Sequence, residues 1–178
     1  METRSVFFCS YSVGTEVYRQ VPELCGPFGS RALVIGGRRA MAAGLPKLRE
    51  ALEDSGLKIV HAVEFGEDCT GARIDRWAEY ARELDVDMIF GMGGGKALDT
   101  AKGAAFAAGL PVFTFPTIAA TCAGTTALSV VYREDGSFDR FAFFPRPARH
   151  CFIHLDILAR APWQYLQAGM GDTMGKFF

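Results

Sequence analysis

The stretch Gly91-Met92-Gly93-Gly94-Gly95-Lys96-Ala97-Leu98-Asp99-Thr100-Ala101-Lys102 decides the fold of this 178-residue chain. It follows an apolar segment, Met88-Ile89-Phe90, that reads as a buried strand, and it leads into an alanine-rich segment with the composition of a helix, ending at Gly109. The glycines therefore sit at a strand-to-helix turn. Three adjacent residues without Cβ let the backbone approach a bulky anion, and the first N–H groups of the following helix direct partial positive charge to the same place. A phosphate is the expected guest. Glycines kept for packing alone are the plainer alternative, disfavoured because strand-to-helix glycine turns so often bind ligands.

Two better-known phosphate motifs do not fit. A Walker A loop needs a glycine where Phe90 stands and a Ser or Thr where Ala97 stands. The dinucleotide fingerprint G-x-G-x-x-G fails as well, because its last position falls on Lys96 or on Leu98.

Working outward, Ser5 to Ser12 reads as a first strand, with a short helix starting after Gly14-Thr15. Arg31 to Gly37 is a clearer strand, followed by a helical pattern from Arg38 to Asp54 closed by Gly56, and by a strand from Lys58 to Phe65. Thr70 can cap a helix that puts Ile74, Trp77, Ala81 and Leu84 on one stripe and turns Arg73, Asp75, Arg76, Glu79 and Arg82 to water. Pro111 to Phe115 is another buried strand. Strands alternating with helices imply an α/β domain, a Rossmann-like parallel sheet with flanking helices and a ligand at the carboxyl ends of the strands. Beyond it, Leu128 to Arg133 and Phe138 to Phe144, joined by Glu134-Asp135-Gly136-Ser137, read as a β-hairpin, with a further strand at Cys151 to Leu155. Phe141, Phe143 and Phe144 are read as sheet packing rather than a stacking platform. Residues 162–178 look helical, with Gly169 and Gly171 permitting close packing. The ending on Phe177-Phe178, without a stop signal, reads as an element cut short.

Composition narrows the function. With 49% hydrophobic residues the chain can build one substantial core, and 19 basic against 20 acidic residues leave no basic face for nucleic acid. A small-molecule ligand is expected instead. Five cysteines without a Cys-x-x-Cys pair suit a reducing cytoplasm, and neither an export signal nor an apolar run of membrane-spanning length is evident. His150 and His154 lie four apart, but the intervening Cys151-Phe152-Ile153 is strand-like. It would hold them roughly 13 Å apart at about 3.3 Å per residue, and His61, like these two, is read as structural or exposed.

Three motifs taken together, Gly93-Gly94-Gly95-Lys96-x-x-Asp99-x-Ala101-Lys102, Pro116-Thr117-Ile118-Ala119-Ala120-Thr121 and Gly169-Met170-Gly171-Asp172, resemble the iron-containing (group III) alcohol dehydrogenases, in their glycerol dehydrogenase and hydroxycarboxylate dehydrogenase branch. The resemblance runs from about Ser5 to the end, and covers only the N-terminal half of such an enzyme. It implies a dehydroquinate synthase-like N-terminal domain over residues 1–161, the start of a metal-binding helical domain at 162–178, and the absence of the rest of that C-terminal helical domain.

The resemblance also implies roles. Gly94, Gly95 and Lys96 would hold the pyrophosphate of NAD or NADP, with Asp99 one helical turn beyond. Thr117, Ile118 and Ala120 would meet its adenosine and ribose side, and Thr126, Leu128 and Tyr132 its nicotinamide side. Asp172 would be the first ligand of a divalent metal, zinc or iron, whose two histidine ligands are absent, so one carboxylate cannot hold the ion firmly. Gly37 stands where glycerol dehydrogenases carry a ribose-binding Asp, and Arg38 and Arg39 follow it, which favours NADP or relaxed cofactor choice. Cys122 replaces a substrate-binding Asp, which ranks 2-hydroxy or 2-oxo acids above glycerol. The activity implied is alcohol–carbonyl interconversion by a metal-dependent NAD(P) oxidoreductase, homo-oligomeric when full length, with this stretch alone binding dinucleotide weakly and turning nothing over. A non-catalytic nucleotide-binding module is the rival reading. A related synthase on the same architecture ranks lower, because Asp172 and the Pro-Thr-Ile loop favour the dehydrogenase.

Overall fold

The computed structural model describes residues 7–176. Eight strands run Ser10–Gly14 (β1), Arg31–Gly36 (β2), Lys58–Glu64 (β3), Met88–Gly93 (β4), Val112–Pro116 (β5), Leu128–Tyr132 (β6), Phe138–Phe143 (β7) and His150–His154 (β8). The helices are Val21–Cys25 (α1), Arg38–Leu52 (α2), Gly71–Glu83 (α3), Gly95–Ala108 (α4), Leu155–Ala159 (α5) and Trp163–Met174 (α6). Six strands form one parallel sheet in the order β1-β8-β5-β4-β2-β3, and β6 and β7 pair as a separate antiparallel hairpin.

The strand order reverses between β2 and β4: the chain leaves β2 for β3 on one side, then returns across to β4 and β5 on the other. In open α/β sheets a crevice opens at such a reversal, outside the carboxyl ends of the strands. Here those ends carry Gly36-Gly37 and Gly93-Gly94, and the Gly37 N–H donates to the Met92 carbonyl at 3.2 Å.

Both faces of the sheet are covered. One buries Val34, Phe90, Phe113 and Phe115 against Val21, Met41 and Leu48, and the other buries Leu33, Ile35 and Ile89 against Trp77, Ala81, Ala101 and Ala104. Burial on two faces explains why β4 shows no apolar–polar alternation. Helix α4 is buried from Ala97 to Ala105, because α3 lies on one side of it and the hairpin on another. Its small residues let these layers close in: a Cβ on Gly103 would sit 2.7 Å from Ile74. Gly109 ends the helix in the left-handed conformation, φ 73°, as a C-terminal glycine does.

Several boundaries differ from the sequence expectation. The first strand starts at Ser10 rather than Ser5, where parallel pairing with His150 begins, and Ser5 lies outside the described residues. Instead of a helix straight after Thr15, a 3-10 turn at Val17–Gln20 precedes α1. Helix α2 closes at Leu52, and Asp54 and Gly56 take positive φ just beyond it. Leu155 begins the short helix α5 instead of finishing β8. Phe141 and Phe143 are exposed on the outer face of the hairpin rather than packed beneath it, whereas Phe144 does pack, 5.2 Å from Phe106. Helix α6 stops at Met174, so the expected helix to residue 178 is shorter than read, and Phe177-Phe178 lie outside the described residues.

Candidate functional site

The glycine turn occupies the crevice where the strand order reverses. Gly93 takes φ 154°, a conformation that side chains resist, and a Cβ there would sit 2.8 Å from the Ala97 Cβ. A Cβ on Gly94 would fall 2.6 Å from the Cδ1 of Ile118. Gly94 caps α4 without a side-chain hydrogen bond, and no acid stands in the first turn. The leading N–H groups of a long, buried helix are thereby left to a ligand, an arrangement suited to phosphate.

Two cavities flank this turn. One, of about 880 Å³, is lined by Gly37, Arg38, Arg39, Glu64, Phe65, Gly94, Thr117 and Ile118, with Lys47 on α2 and Asp156, Arg160 and Tyr165 from α5 and α6. The other, of about 400 Å³, lies under the hairpin and is lined by Gly95, Lys96, Asp99, Thr121, Cys122, Thr126, Leu128, Tyr132 and Asp172. Of the residues singled out in the sequence, Gly37, Gly94, Thr117 and Ile118 fall together in the first cavity and Gly95, Lys96, Asp99, Cys122, Thr126, Leu128, Tyr132 and Asp172 in the second. Ala120 lines neither: its Cα lies 3.4 Å from where a Gly169 Cβ would be, so its segment is a seat for α6.

Asp99 is 6% exposed, which makes it a structural tie as much as a wall. Its Oδ1 is 2.9 Å from the Lys102 ammonium, and its Oδ2 accepts the Val130 N–H at 3.0 Å. Lys102 in turn donates to the carbonyl and the hydroxyl of Thr126, each at 3.3 Å, and to the Leu128 carbonyl. The pair therefore fastens α4 to the first strand of the hairpin and fixes Thr126 and Leu128. Burial raises the Asp99 carboxyl above its usual range, and Lys102 and the Val130 N–H oppose the shift without cancelling it. Lys102 lies three residues after Asp99 within the buried stretch Ala97 to Ala105, and an acid and a base at that spacing on one helix mark a pair.

Cys122 is exposed, and its Sγ accepts a hydrogen bond from Lys176 at 3.4 Å. Lys176 also pairs with Asp172, so it bridges the loop after β5 to α6. The buried thiols behave differently: burial pushes Cys69 up to about 11, which leaves it an inert neighbour of Thr100. His150 and His154 sit at the two ends of β8, as the strand-like spacing implied; the His150 Nε2 is 2.9 Å from Ser12 Oγ.

Asp172 is engaged by Lys176, and among the described residues no group of three or more His, Cys, Asp or Glu stands together to hold an ion. These residues do not make a metal centre by themselves.

The iron-containing alcohol dehydrogenase family model matches residues 10–149. The chain belongs to that family. It is 36% identical to a glycerol dehydrogenase of Escherichia coli over 168 residues, which is 94% of this chain and 46% of that protein. It is 39% identical to hydroxycarboxylate dehydrogenase A of Escherichia coli over 149 residues, 84% of this chain and 40% of that protein. The crystal structure of a probable glycerol dehydrogenase from Sinorhizobium meliloti superposes with a TM-score of 0.84 at 31% identity, covering 97% of this chain and 46% of that one. The chain thus spans about half the length of the relatives it matches. No helix among the described residues is long and apolar enough to cross a membrane.

Proposed function

We propose that this chain is the nucleotide-holding part of an NAD(P)-dependent oxidoreductase that interconverts an alcohol or 2-hydroxy acid with its carbonyl compound. The observation that carries the reading is the meeting of two cavities at the uncapped N-terminus of α4, where the strand order reverses. A dinucleotide is a long ligand with a central pyrophosphate. The crevice offers backbone N–H groups in the middle and a chamber on each side, which is the shape such a ligand needs.

The roles of the residues follow from their places. Gly94 and Gly95 bring backbone donors to the pyrophosphate, and Lys96 adds a charge. Gly37, Thr117 and Ile118 surround the adenosine side, while Thr126 and Leu128, fixed by Lys102, and Tyr132, fixed by the Cys69 carbonyl, wall the nicotinamide side. The nicotinamide, when bound, accepts or donates the hydride. Cys122 and Asp172 face the chamber in which an alcohol carbon would have to lie. A metal ion belongs to the family's name, but the donors among the described residues are too few to hold one. Isolated chain therefore binds dinucleotide weakly and does not oxidise alcohols.

The substrate reading favours 2-oxo and 2-hydroxy acids over glycerol. A thiol at Cys122 is a poor acceptor for a polyol and does not repel a carboxylate. The chain is similar to glycerol dehydrogenases and to a hydroxycarboxylate dehydrogenase alike, so this ranking rests on Cys122. The rival reading, a binding module without chemistry, shares the crevice and differs only in turnover.

The test is NADH and NADPH titration of the 178-residue chain by cofactor fluorescence. Saturable binding that Gly94→Val abolishes is the expected result, since a branched side chain there collides with Ile118. No binding, or binding indifferent to that change, would sink the reading.

A further inference from the structure

Lys96 does not stand free at the glycine turn. Its ammonium pairs with the carboxylate of Asp68 and lies 5.3 Å from the centroid of the Tyr132 ring. Asp68 comes from the segment between β3 and α3, distant from Lys96 in sequence, and that segment is pinned in place. The Tyr132 N–H donates to the Cys69 carbonyl at 2.8 Å, the Arg73 guanidinium donates to the Asp68 carbonyl at 3.0 Å, and Thr70 bridges to Tyr132. Asp68 Oδ1 is shut off from water and, among the described residues, only the Lys96 ammonium answers it.

The two partners are unequally placed. The Lys96 side chain is 51% exposed and lines the hairpin-side cavity, whereas that of Asp68 is 23% exposed and is not part of the cavity wall.

We infer that Asp68 is a positioning residue: it holds Lys96 beside Tyr132 and competes, as an internal counter-ion, with the phosphates of a bound dinucleotide for the Lys96 ammonium. The inference rests on the dinucleotide reading of the crevice. A pyrophosphate arriving at the N-terminus of α4 must draw the ammonium from Asp68 or share it, and in either case the fixed carboxylate opposes a second anion nearby. Affinity for the cofactor is thereby held below what Lys96 alone would give, which favours release of a ligand that must exchange at every turnover.

The experiment is NADH titration of the 178-residue chain as wild type, Asp68→Asn, Lys96→Gln and the double variant, at low and moderate salt, with inorganic pyrophosphate as competitor. Asp68→Asn keeps the size of the side chain and the backbone bond to Arg73; Asp68→Ser serves as a second, smaller replacement. The expected result is NADH and pyrophosphate bound roughly three- to tenfold tighter by the Asp68 variants, more so at low salt, with no gain in the Lys96→Gln background. Unchanged or weaker binding overturns the inference, and so does a gain that persists without Lys96 or that pyrophosphate does not share. If no variant and no wild type binds NADH, the dinucleotide reading itself falls and this inference with it, whereas wild-type binding indifferent to Asp68 removes the inference alone.

Discussion

A Cβ placed on Gly169 of α6 would lie 1.9 Å from the carbonyl oxygen of Ala119, in the loop after β5. The backbone of the last helix therefore rests directly on the segment that carries Thr117, Ile118 and Ala120, and its docking brings Asp172 to the edge of the hairpin-side cavity. Two glycines of one motif have opposite burdens, because a Cβ at Gly171 would meet nothing within 4 Å. Both glycines are expected to permit close packing, and only Gly169 does.

Gly169→Ala is accordingly expected to push α6 off the loop, at a cost of about 1–3 kcal/mol, and to weaken dinucleotide binding through Thr117 and Ile118. Gly171→Ala should be neutral or stabilising by up to about 1 kcal/mol, since alanine suits a helix better than glycine. Urea unfolding of the two variants, side by side, reads the difference. Equal destabilisation would show that α6 does not dock as described.

The buried pair Asp99–Lys102 gives a second expectation. Lys102→Met leaves a carboxylate in the interior without its cation and should cost about 3–5 kcal/mol near neutral pH. Because burial has already raised the Asp99 pKa, that carboxyl can take up a proton instead, so the penalty should shrink as pH falls. Asp99→Asn combined with Lys102→Met should cost less than the sum of the single changes, since the amide oxygen still accepts from Val130. A penalty that is independent of pH would contradict the assignment.

The glycine turn, the alternation of strands and helices, the stripe Ile74-Trp77-Ala81 and the hairpin were all legible because each is a local pattern of period, turn residue or cap. Thr70 does cap α3, its hydroxyl oxygen accepting from the Arg73 N–H at 3.4 Å. What could not be read was partnership across the chain. Asp68 meets Lys96 only because β3 and β4 flank β2, an order that no local pattern encodes. The sequence assigns the Lys96 charge to a phosphate, and nothing local in it points to the carboxylate of Asp68 with which Lys96 pairs in the fold. In the same way, Phe141 and Phe143 alternate as sheet residues should, yet the face they occupy is the outer one, and alternation alone does not say which face of a hairpin is covered.

A third expectation concerns acid. His150 and His154 are 8% and 2% exposed, and burial holds both below the ordinary imidazole value of 6.5, aided at His154 by Lys47 and opposed there by Asp156 and Glu16. A base with a depressed folded pKa takes up protons first in the unfolded chain. Its contribution is thus fully present above about pH 6.5 and is lost as pH falls toward the folded value. Melting temperature should drop by a few degrees between about pH 7.5 and about pH 5.5, and His150→Gln with His154→Gln should flatten that slope. Asp99 acts in the opposite sense in acid, which is why the comparison is made between variants. A wild-type slope retained by the double variant would remove the histidines from the account.

The last expectation is cofactor choice. Gly37 caps α2 with φ −81° and ψ 143°, an extended conformation open to any residue, and a Cβ there would meet Phe65 and Ala40 at ordinary contact distances of 3.7 and 3.9 Å. The acid nearest in register is Glu64, paired with Gly36 across from β3, and Gly37 itself carries none. The cavity beside Gly37 gathers Arg38, Arg39, Lys47 and Arg160 against Glu64 and Asp156. A net positive chamber with room at Gly37 suits a 2′-phosphate, which an aspartate would repel and an arginine pairs with through charge-assisted hydrogen bonds. NADPH should therefore bind at least as tightly as NADH. Gly37→Asp should reverse the order, weakening NADPH by about tenfold or more relative to NADH, equivalent to about 1.4 kcal/mol. The same substitution supplies α2 with an N-cap acceptor and should not lower stability, so a loss of NADPH binding cannot be ascribed to misfolding. Arg38→Ala and Arg39→Ala divide the effect between the two guanidinium groups. NADH bound tenfold tighter than NADPH by the wild type, or a selectivity unmoved by Gly37→Asp, would be decisive against the assignment.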